Sequence, residues 1–299
     1  MKLNKLLIAF LLACIAMAFI QKGGMDEIIQ PGTKIEKLAD GFLFTEGPSS
    51  DAKGNVYFTD QPNDRIMVLS ISGKLSTFMQ PSGRSNGLSF DKEGNLWACA
   101  DEKNELWCIA PDKNVSVIPS KYRDKPLNGP NDLWIAPNGG IYFTDPYYKR
   151  TWWDHDTMPQ VCQAVYYLEP GHITFIRVAD DLVQPNGIVG TPDGKSLFVA
   201  DIGGNKTWQY SISKDGSVGN KKLFCEMGSD GMTIDIMGNI YLTGAGVTIF
   251  DRNGVLLGNI PVPENWTANV CFGGDDMKSL FITASKSLYR IRTLIKGAY

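Results

Sequence analysis

The sequence predicts an all-β fold, a six-bladed β-propeller in which an N-terminal strand closes the last blade. The main observation is a turn followed by an apolar strand, often ending in Asp, which recurs six times along the 299 residues. The copies span residues 51–60, 91–101, 136–145, 191–201, 235–243 and 274–284. A turn of the Asp-x-x-Gly-Asn type before an aromatic and β-branched run is a hairpin signal. Copies at this spacing are typical of a propeller.

Further strand patterns around each copy predict four strands per blade. A second run follows every copy, at 65–70, 105–110, 164–168, 206–212, 246–251 and 287–292. A third run follows the first five copies, at 74–79, 114–119, 173–178, 221–225 and 256–262, and a short strand precedes each turn. The sixth copy has no clear outer strand before Tyr299, whereas 33–40 has no inner strand of its own. We therefore expect 33–40 to complete the sixth blade, which removes an exposed sheet edge.

The N-terminal segment is expected to be a targeting sequence that does not belong to the fold. Lys2 and Lys5 precede an apolar run over 6–20, which is too short for a comfortable membrane span. Ala16-Met17-Ala18 resembles a cleavage site, which favours a signal peptide and export to the periplasm or medium. A lipoprotein anchored through Cys14 and an uncleaved membrane anchor are the alternatives. The domain assignment is a targeting segment over 1–25 and one propeller over 26–299.

Composition excludes several classes of function. The net charge of −3 argues against a nucleic-acid-binding protein, which needs a basic face. Only two histidines are present, which argues against His-rich metal centres and a Ser-His-Asp triad. The cysteines beyond the leader are expected to be buried free thiols. A disulfide between Cys99 and Cys108 across one hairpin is the alternative.

Six polar residues share one register in the repeat. Eight residues before each aligned turn position stands a carboxylate or an amide: Glu46, Asn86, Asn131, Asn186, Asp230 and Asn269. The first strand of each blade lines the central channel, so these side chains are expected to meet at the channel mouth. Two carboxylates among amide oxygens suit a hard cation such as Ca²⁺, whereas Zn²⁺ prefers His and Cys. Asn-Gly and Asp-Gly are also ordinary turn pairs, but a turn does not explain Glu46.

Five motifs carry a resemblance to a known family: Glu46-Gly-Pro, Asn128-Gly-Pro-Asn131-Asp132, Tyr142-Phe-Thr-Asp145-Pro, Pro-Asn186-Gly and Asp230-Gly-Met. Over about residues 34–292 the chain resembles the senescence-marker-protein/gluconolactonase family, which includes luciferin-regenerating-enzyme-like proteins. The resemblance implies a six-bladed propeller with one divalent metal, held by Glu46, Asn131, Asn186 and Asp230. It also implies lactone hydrolysis. Some members carry Arg two residues before the equivalent of Asn131. Here that residue is Gly129, and Asn128 is expected to compensate.

These observations predict a metal-dependent lactone hydrolase of the gluconolactonase type. Ca²⁺ is the expected cation, with Mg²⁺, Mn²⁺ and Zn²⁺ as alternatives, and its role is to polarise the carbonyl and activate water. Asp230 is the candidate general base, and Glu46 is expected to anchor the metal. The expected substrate contacts come from the side chains of Asn86, Asn128, Asn131, Asn269 and Trp152.

Trp152 lies in an insertion over 146–163 in blade three, where a lid role and simple packing are both open.

Three other functions are also consistent with the sequence: a non-catalytic ligand-binding propeller, an organophosphate or other ester hydrolase using the same metal site, and a strictosidine-synthase-like condensing enzyme. The condensing enzyme would not need the complete Glu-Asn-Asn-Asp set, so the presence of the set argues against this function. A small-molecule lactone is the expected partner, and the substrate lactone and the oligomeric state stay open.

Overall fold

The computed structural model describes residues 24–118 and 120–299. The described chain begins with one turn of helix, α1 (Met25–Ile28), and strand β1 (Glu36–Ala39). Six four-stranded antiparallel sheets follow in the described residues, together with one two-stranded sheet. The predicted six-bladed propeller is therefore confirmed.

The blades follow one another along the chain. Blade one holds β2 (Thr45–Ser50), β3 (Val56–Asp60), β4 (Arg65–Leu69) and β5 (Leu75–Met79). Blade two holds β6 (Ser85–Phe90), β7 (Leu96–Ala100), β8 (Glu105–Ile109) and β9 (Val115–Ile118), and a small hairpin follows, β10 (Lys121–Tyr122) with β11 (Lys125–Pro126). Blade three holds β12 (Leu133–Ile135), β13 (Ile141–Asp145), β14 (Ala164–Leu168) and β15 (Phe175–Ala179).

The second half of the ring repeats this order. Blade four holds β16 (Pro185–Gly190), β17 (Ser196–Asp201), β18 (Lys206–Ile212) and β19 (Val218–Cys225). Blade five holds β20 (Met232–Ile234), β21 (Ile240–Gly244), β22 (Gly246–Phe250) and β23 (Leu256–Ile260). Blade six holds β24 (Thr267–Gly273), β25 (Ser279–Ala284) and β26 (Ser287–Arg292), and β1 is its fourth strand.

The ring is closed by pairing between the two ends of the chain. Strand β1 pairs antiparallel with β26, with Glu36 opposite Arg290, and these side chains form an ion pair at 2.7 Å. The closure predicted from the sequence is confirmed. The C-terminal tail adds contacts that the sequence did not predict: the Tyr299 hydroxyl donates to the carbonyl of Gly190, 2.7 Å away in blade four.

The recurrent turn has a simple physical basis. In blade one, Asp51 Oδ1 accepts hydrogen bonds from the backbone N–H groups of Lys53 and Asn55, which is the geometry of an Asx turn. Gly54 in the same turn has a φ of +82°, and a Cβ there would lie 2.4 Å from the backbone of Gly274 in blade six. Glycine is thus required at this position by conformation and by the close approach of the neighbouring blade.

The core lies between neighbouring blades and not within them. Aromatic and β-branched side chains of the middle strands pack across each interface, as Tyr142 of blade three and Leu197 of blade four do in one cluster with Trp134. Tyr142 also donates from its hydroxyl to the carbonyl of Gly216 at 2.8 Å. Burial of these large side chains in every interface fixes the angle at which each blade meets the next, which holds the inner strands in register.

Two further predictions concern the cysteines of blade two and the N-terminal segment. Cys99 lies opposite Leu106 and Cys108 lies opposite Trp97, and both thiols are free, so the alternative of a disulfide between them is wrong. The predicted leader falls almost entirely on residues 1–23, outside the described residues. In the described part of the chain, no helix has the length and apolar character needed to cross a bilayer.

Closure by β1 gives the first testable prediction. A variant whose chain starts at residue 41 lacks β1 and loses its three paired positions on β26, so we expect a loss of about 3 kcal/mol in the free energy of unfolding and a tendency to aggregate through the exposed edge. Urea unfolding followed by circular dichroism measures this. A variant starting at residue 33 keeps β1 and lacks α1, and it separates the strand from the helix. Equal stability of the two variants would contradict the assigned role of β1.

Candidate functional site

The six aligned polar residues lie at one end of the channel, close to the start of each inner strand. Glu46, Asn86, Asn186 and Asn269 lie within β2, β6, β16 and β24, and Asn131 and Asp230 lie two residues before β12 and β20. Because four of the six lie inside strands, the alternative explanation by turn formation does not apply to those four. Their common register in the sequence thus places the six residues at equivalent positions of the inner strands.

The glycines that follow these residues are explained by the crowding of the inner strands. A Cβ on Gly47 would lie 2.0 Å from the carbonyl oxygen of Asn86, and one on Gly87 would lie 2.6 Å from that of Asn131. Adjacent blades are also linked there by hydrogen bonds, since Gly87 N–H donates to Asn131 O at 2.8 Å and Thr59 Oγ1 to Asn86 O at 3.1 Å. The inner strands thus hold the polar side chains in a rigid backbone setting.

A cavity of about 340 Å³ opens at this end of the channel. Its lining residues are Phe44, Glu46, Gln61, Asn86, Asn131, Tyr148, Arg150, Gln184, Ile202, Asp230 and Trp266. Four of the six ring residues are among them, and Asn186 is hydrogen-bonded to Asp230. Asn269 instead lines a second cavity of about 450 Å³, which includes Ser50 and Phe90 at the far ends of the inner strands.

Asp230 is held from both sides. Asn186 Nδ2 donates to Asp230 Oδ1 at 2.7 Å, and Trp266 Nε1 donates to Asp230 Oδ2 at 2.6 Å. Asn186 Nδ2 also donates to the Tyr148 hydroxyl at 2.8 Å. The Oδ1 atom of Asn186 is buried and has no hydrogen-bond partner among the described residues. A buried acceptor without a donor is costly, so this atom fits a cation or a water bound beside Asp230.

The two carboxylates of the ring are electrostatically unfavourable neighbours. Glu46 is 3% exposed, and burial, followed by repulsion from Asp230, raises the pKa of Glu46 well above its usual range. Burial raises the pKa of Asp230 to about 6, although hydrogen bonds from Trp266 and Asn186 and the charge of Arg150 oppose this. Both shifts have the same cause, negative charge removed from water, and a bound cation would relieve it.

The donor set fits a hard divalent cation. Oxygen atoms of Glu46, Asn131, Asn186 and Asp230 are the ligand types that Ca²⁺ takes, with two formal negative charges from the carboxylates. No cluster of three or more His, Cys, Asp or Glu side chains suited to a metal occurs in residues 24–118 and 120–299. The ring residues instead combine two carboxylates with amide oxygens, which are also ligands that Ca²⁺ takes.

Aspartates at the ends of the second strands brace the rim of the cavity. Asp60 accepts from the backbone N–H groups of Leu43 and Phe44, and Asp201 accepts from that of Gln184 at 2.8 Å. These contacts anchor the loops that precede β2 and β16 to the ends of the second strands. Asp101 differs, because its carboxylate binds side chains and not a loop backbone.

The insertion of blade three forms one side of the cavity. It connects β13 to β14 and brings Tyr148 and Arg150 to the cavity. Trp152 is outside the lining and lies against two guanidinium groups, those of Arg84 at 4.7 Å and Arg150 at 5.6 Å. Its role in substrate binding stays a prediction.

Asn128 is completely buried beneath this insertion. Its Nδ2 donates to the carbonyls of Asp145 at 3.2 Å and Cys162 at 2.9 Å, and its Oδ1 accepts from the N–H of Gln160 at 2.9 Å. All its polar atoms are therefore used in fixing the insertion to blade three. Substrate binding by Asn128 stays a prediction, and the contacts give it an anchoring role.

Several lining residues were missed by the sequence analysis: Phe44, Gln61, Gln184, Ile202 and Trp266. Phe44 and Gln184 stand two residues before Glu46 and Asn186, so a second shared offset in the repeat could have found them. Gln61 and Ile202 each follow the aspartate that ends a second strand. Trp266 has no such signal, because it lies in a loop before β24.

Comparison with known proteins gives consistent results. The model of the SMP-30/Gluconolactonase/LRE-like region matches residues 44–286. A gluconolactonase of Zymomonas mobilis is 30% identical over 305 aligned residues, which cover 91% of this chain and 85% of that protein. The structure of a putative gluconolactonase superposes with a TM-score of 0.84 at 32% identity, covering 91% of this chain and 96% of the other. A gluconolactonase from Xanthomonas campestris gives 0.83 at 26% identity, covering 90% and 92%.

Asn128 gives a prediction that separates anchoring from substrate contact. Replacement Asn128→Ala removes three buried hydrogen bonds and leaves their backbone partners unpaired, so we expect a destabilisation of about 3 kcal/mol or more by urea unfolding. Asn138→Ala, in the turn before β13, is the matched control and should cost less. Unchanged stability together with a raised KM for a lactone would contradict the anchoring role and favour direct substrate contact.

Proposed function

The chain belongs to the SMP-30/gluconolactonase/LRE-like family, and we propose that it hydrolyses lactones with the help of a divalent cation. Lactonase relatives over most of the chain support a lactone hydrolase. The metal dependence and the roles of individual residues go beyond that support and are argued from the site.

The observation that carries the metal is the unpartnered Oδ1 of Asn186, which lies at a site with the buried carboxylate of Glu46 and the half-buried carboxylate of Asp230. Glu46, Asn131, Asn186 and Asp230 are the residues that would hold the ion, and Ca²⁺ suits this oxygen set, with Mg²⁺, Mn²⁺ and Zn²⁺ as alternatives. A divalent cation bound there supplies a Lewis acid that polarises the lactone carbonyl and lowers the pKa of a nearby water.

Side chains of the protein carry out the proton transfers and anchor the cation. Asp230, oriented by Asn186 and Trp266, accepts a proton from the attacking water. The water oxygen forms the new bond to the acyl carbon, and the bond from that carbon to the ring oxygen breaks. The proton held by Asp230 then passes to the departing ring oxygen, so the product is the open hydroxy acid. Glu46 anchors the cation and takes no part in proton transfer.

The rest of the cavity suits a small lactone ring. A volume of about 340 Å³ lies at the lower end of the range for small-molecule sites. Phe44, Ile202 and Trp266 offer apolar surface to the ring carbons, and the amides of Asn86 and Asn131 offer hydrogen bonds to its oxygen atoms. This mixture favours a sugar lactone or a related hydroxylated lactone as substrate.

We also propose that the protein is exported. The charged start, the short apolar run over 6–20 and the Ala-Met-Ala sequence support a cleaved signal peptide. N-terminal sequencing of protein recovered from the native host tests this, since a mature chain starting near residue 19 is expected. A lipid on Cys14 or a retained Met1 would contradict it.

Removal of the cation gives the central prediction for activity. Exhaustive chelation should abolish hydrolysis of D-glucono-1,5-lactone, and added Ca²⁺ should restore it. Asp230→Asn should lower kcat/KM by at least about 100-fold, since a general base typically contributes this much. Glu46→Gln should mainly weaken Ca²⁺ binding, which calorimetry measures without turnover. Asp193→Asn, on an exposed turn of blade four, is the matched control and should behave as the wild type.

Two outcomes would contradict the proposal. Activity that survives both exhaustive chelation and Asp230→Asn would exclude the metal mechanism. Binding of Ca²⁺ without turnover of any lactone in a panel of sugar, hydroxy and acyl lactones would favour a ligand-binding protein.

A further inference from the structure

One wall of the cavity is not built by the ring residues but by the insertion over 146–163. Arg150 is the cation on this wall, and no other Lys or Arg of the described residues lines the cavity. We propose that Arg150 binds hydroxyl oxygens of the substrate and so selects polyhydroxylated lactones over unsubstituted ones. This inference rests on the proposed function, because it names what distinguishes one lactone from another at that site.

Arg150 is fixed in place by one edge of its guanidinium. Its Nε donates to Asp101 Oδ2 at 2.8 Å, and its guanidinium carbon lies over the ring of Tyr148, 5.2 Å from the ring centre. Asp101 is itself held, because Gln61 Nε2 donates to the same oxygen at 3.1 Å and Trp153 Nε1 donates to the Asp101 carbonyl at 2.7 Å. The described contacts give the two Nη groups no hydrogen-bond partner, so they are free to donate to a ligand in the cavity.

The charges around Arg150 favour a neutral oxygen and not a second anion. Asp101, 3% exposed at its side chain, already balances the guanidinium charge. Glu46 and Asp230 line the same cavity and would balance the charge of a divalent cation, so neither cation leaves an uncompensated positive charge for an anionic group of the substrate. The amides of Gln61 and Gln184 supply both donors and acceptors, which hydroxyl groups require.

Position 129, beside the insertion, has no room for a side chain. Gly129 has a φ of +153°, and a Cβ on it would lie 2.9 Å from the ring of Trp153 and 3.1 Å from Asp101 Oδ1. Trp153 belongs to the same insertion as Arg150. The insertion therefore fills the space that a side chain at position 129 would need and brings a guanidinium to the cavity from another direction.

The kinetic test compares two lactones that differ in their hydroxyl groups. With Ca²⁺ present, Arg150→Gln should lower kcat/KM for D-glucono-1,5-lactone by about 10- to 100-fold, the cost of a charged hydrogen bond, while changing that for δ-valerolactone less than about threefold. Arg150→Lys keeps the charge and loses the planar fork, so an intermediate loss is expected. Arg252→Gln, on an exposed turn of blade five, is the matched control. Equal losses for both lactones would overturn the proposal.

A binding test is independent of turnover. By calorimetry, the wild type should bind 1,5-anhydro-D-glucitol, which has the hydroxyl groups but no carbonyl, and should not bind tetrahydropyran. Arg150→Gln should weaken polyol binding at least about tenfold. Polyol binding that depends on Arg150 in a protein without lactonase activity would refute the proposed function and support this inference. Polyol binding that is absent in the wild type, or unchanged in both variants of Arg150, would overturn the inference.

Discussion

Electrostatic repulsion between the buried carboxylate of Glu46 and the half-buried carboxylate of Asp230 at the channel mouth is the interaction on which the site depends. Two carboxylates with little access to water repel each other. A protein rarely keeps such a pair without hydrogen bonds or an opposite charge beside it. The hydrogen bonds from Trp266, Asn186 and the Gly47 N–H offset part of the cost for the charged forms. A divalent cation would offset the rest, so carboxylates that are unfavourable neighbours without a cation would be suited to binding one.

The propeller makes this arrangement possible because the inner strands cannot move apart. Pairing of β1 with β26 closes the ring, and packing between blades fixes their spacing. Near the axis the backbones approach so closely that Gly47 and Gly87 have no room for a side chain. The free energy that keeps the two carboxylates near each other thus comes from contacts throughout the ring and not from the site alone.

The repeat in the sequence predicted the blades and the polar ring, and the insertion of blade three was recognised as a candidate lid, but the side chains that it brings to the cavity were not predicted. The six blades, the closing strand and the equivalent positions of Glu46 and Asn86 all follow from periodicity, since equal offsets in a repeat become equal positions in a ring. Arg150 and Tyr148 lie outside the repeat, because they belong to an insertion found in one blade. The motif around Asn128 indicated a substrate contact. Only the structure shows that both polar atoms of its side chain are hydrogen-bonded to backbone groups. Trp266 reaches Asp230 from a loop, with no signal in the spacing.

The most direct test of the cation site is a crystal structure of the protein with bound Mn²⁺, which is located by its anomalous scattering. We expect one strong peak at the channel mouth, within ligand distance of oxygen atoms of Glu46, Asn131, Asn186 and Asp230, with the Asn186 amide oxygen facing the ion. A peak that avoids these four side chains, or a fully ordered site without any peak at saturating Mn²⁺, would contradict the proposed cation site.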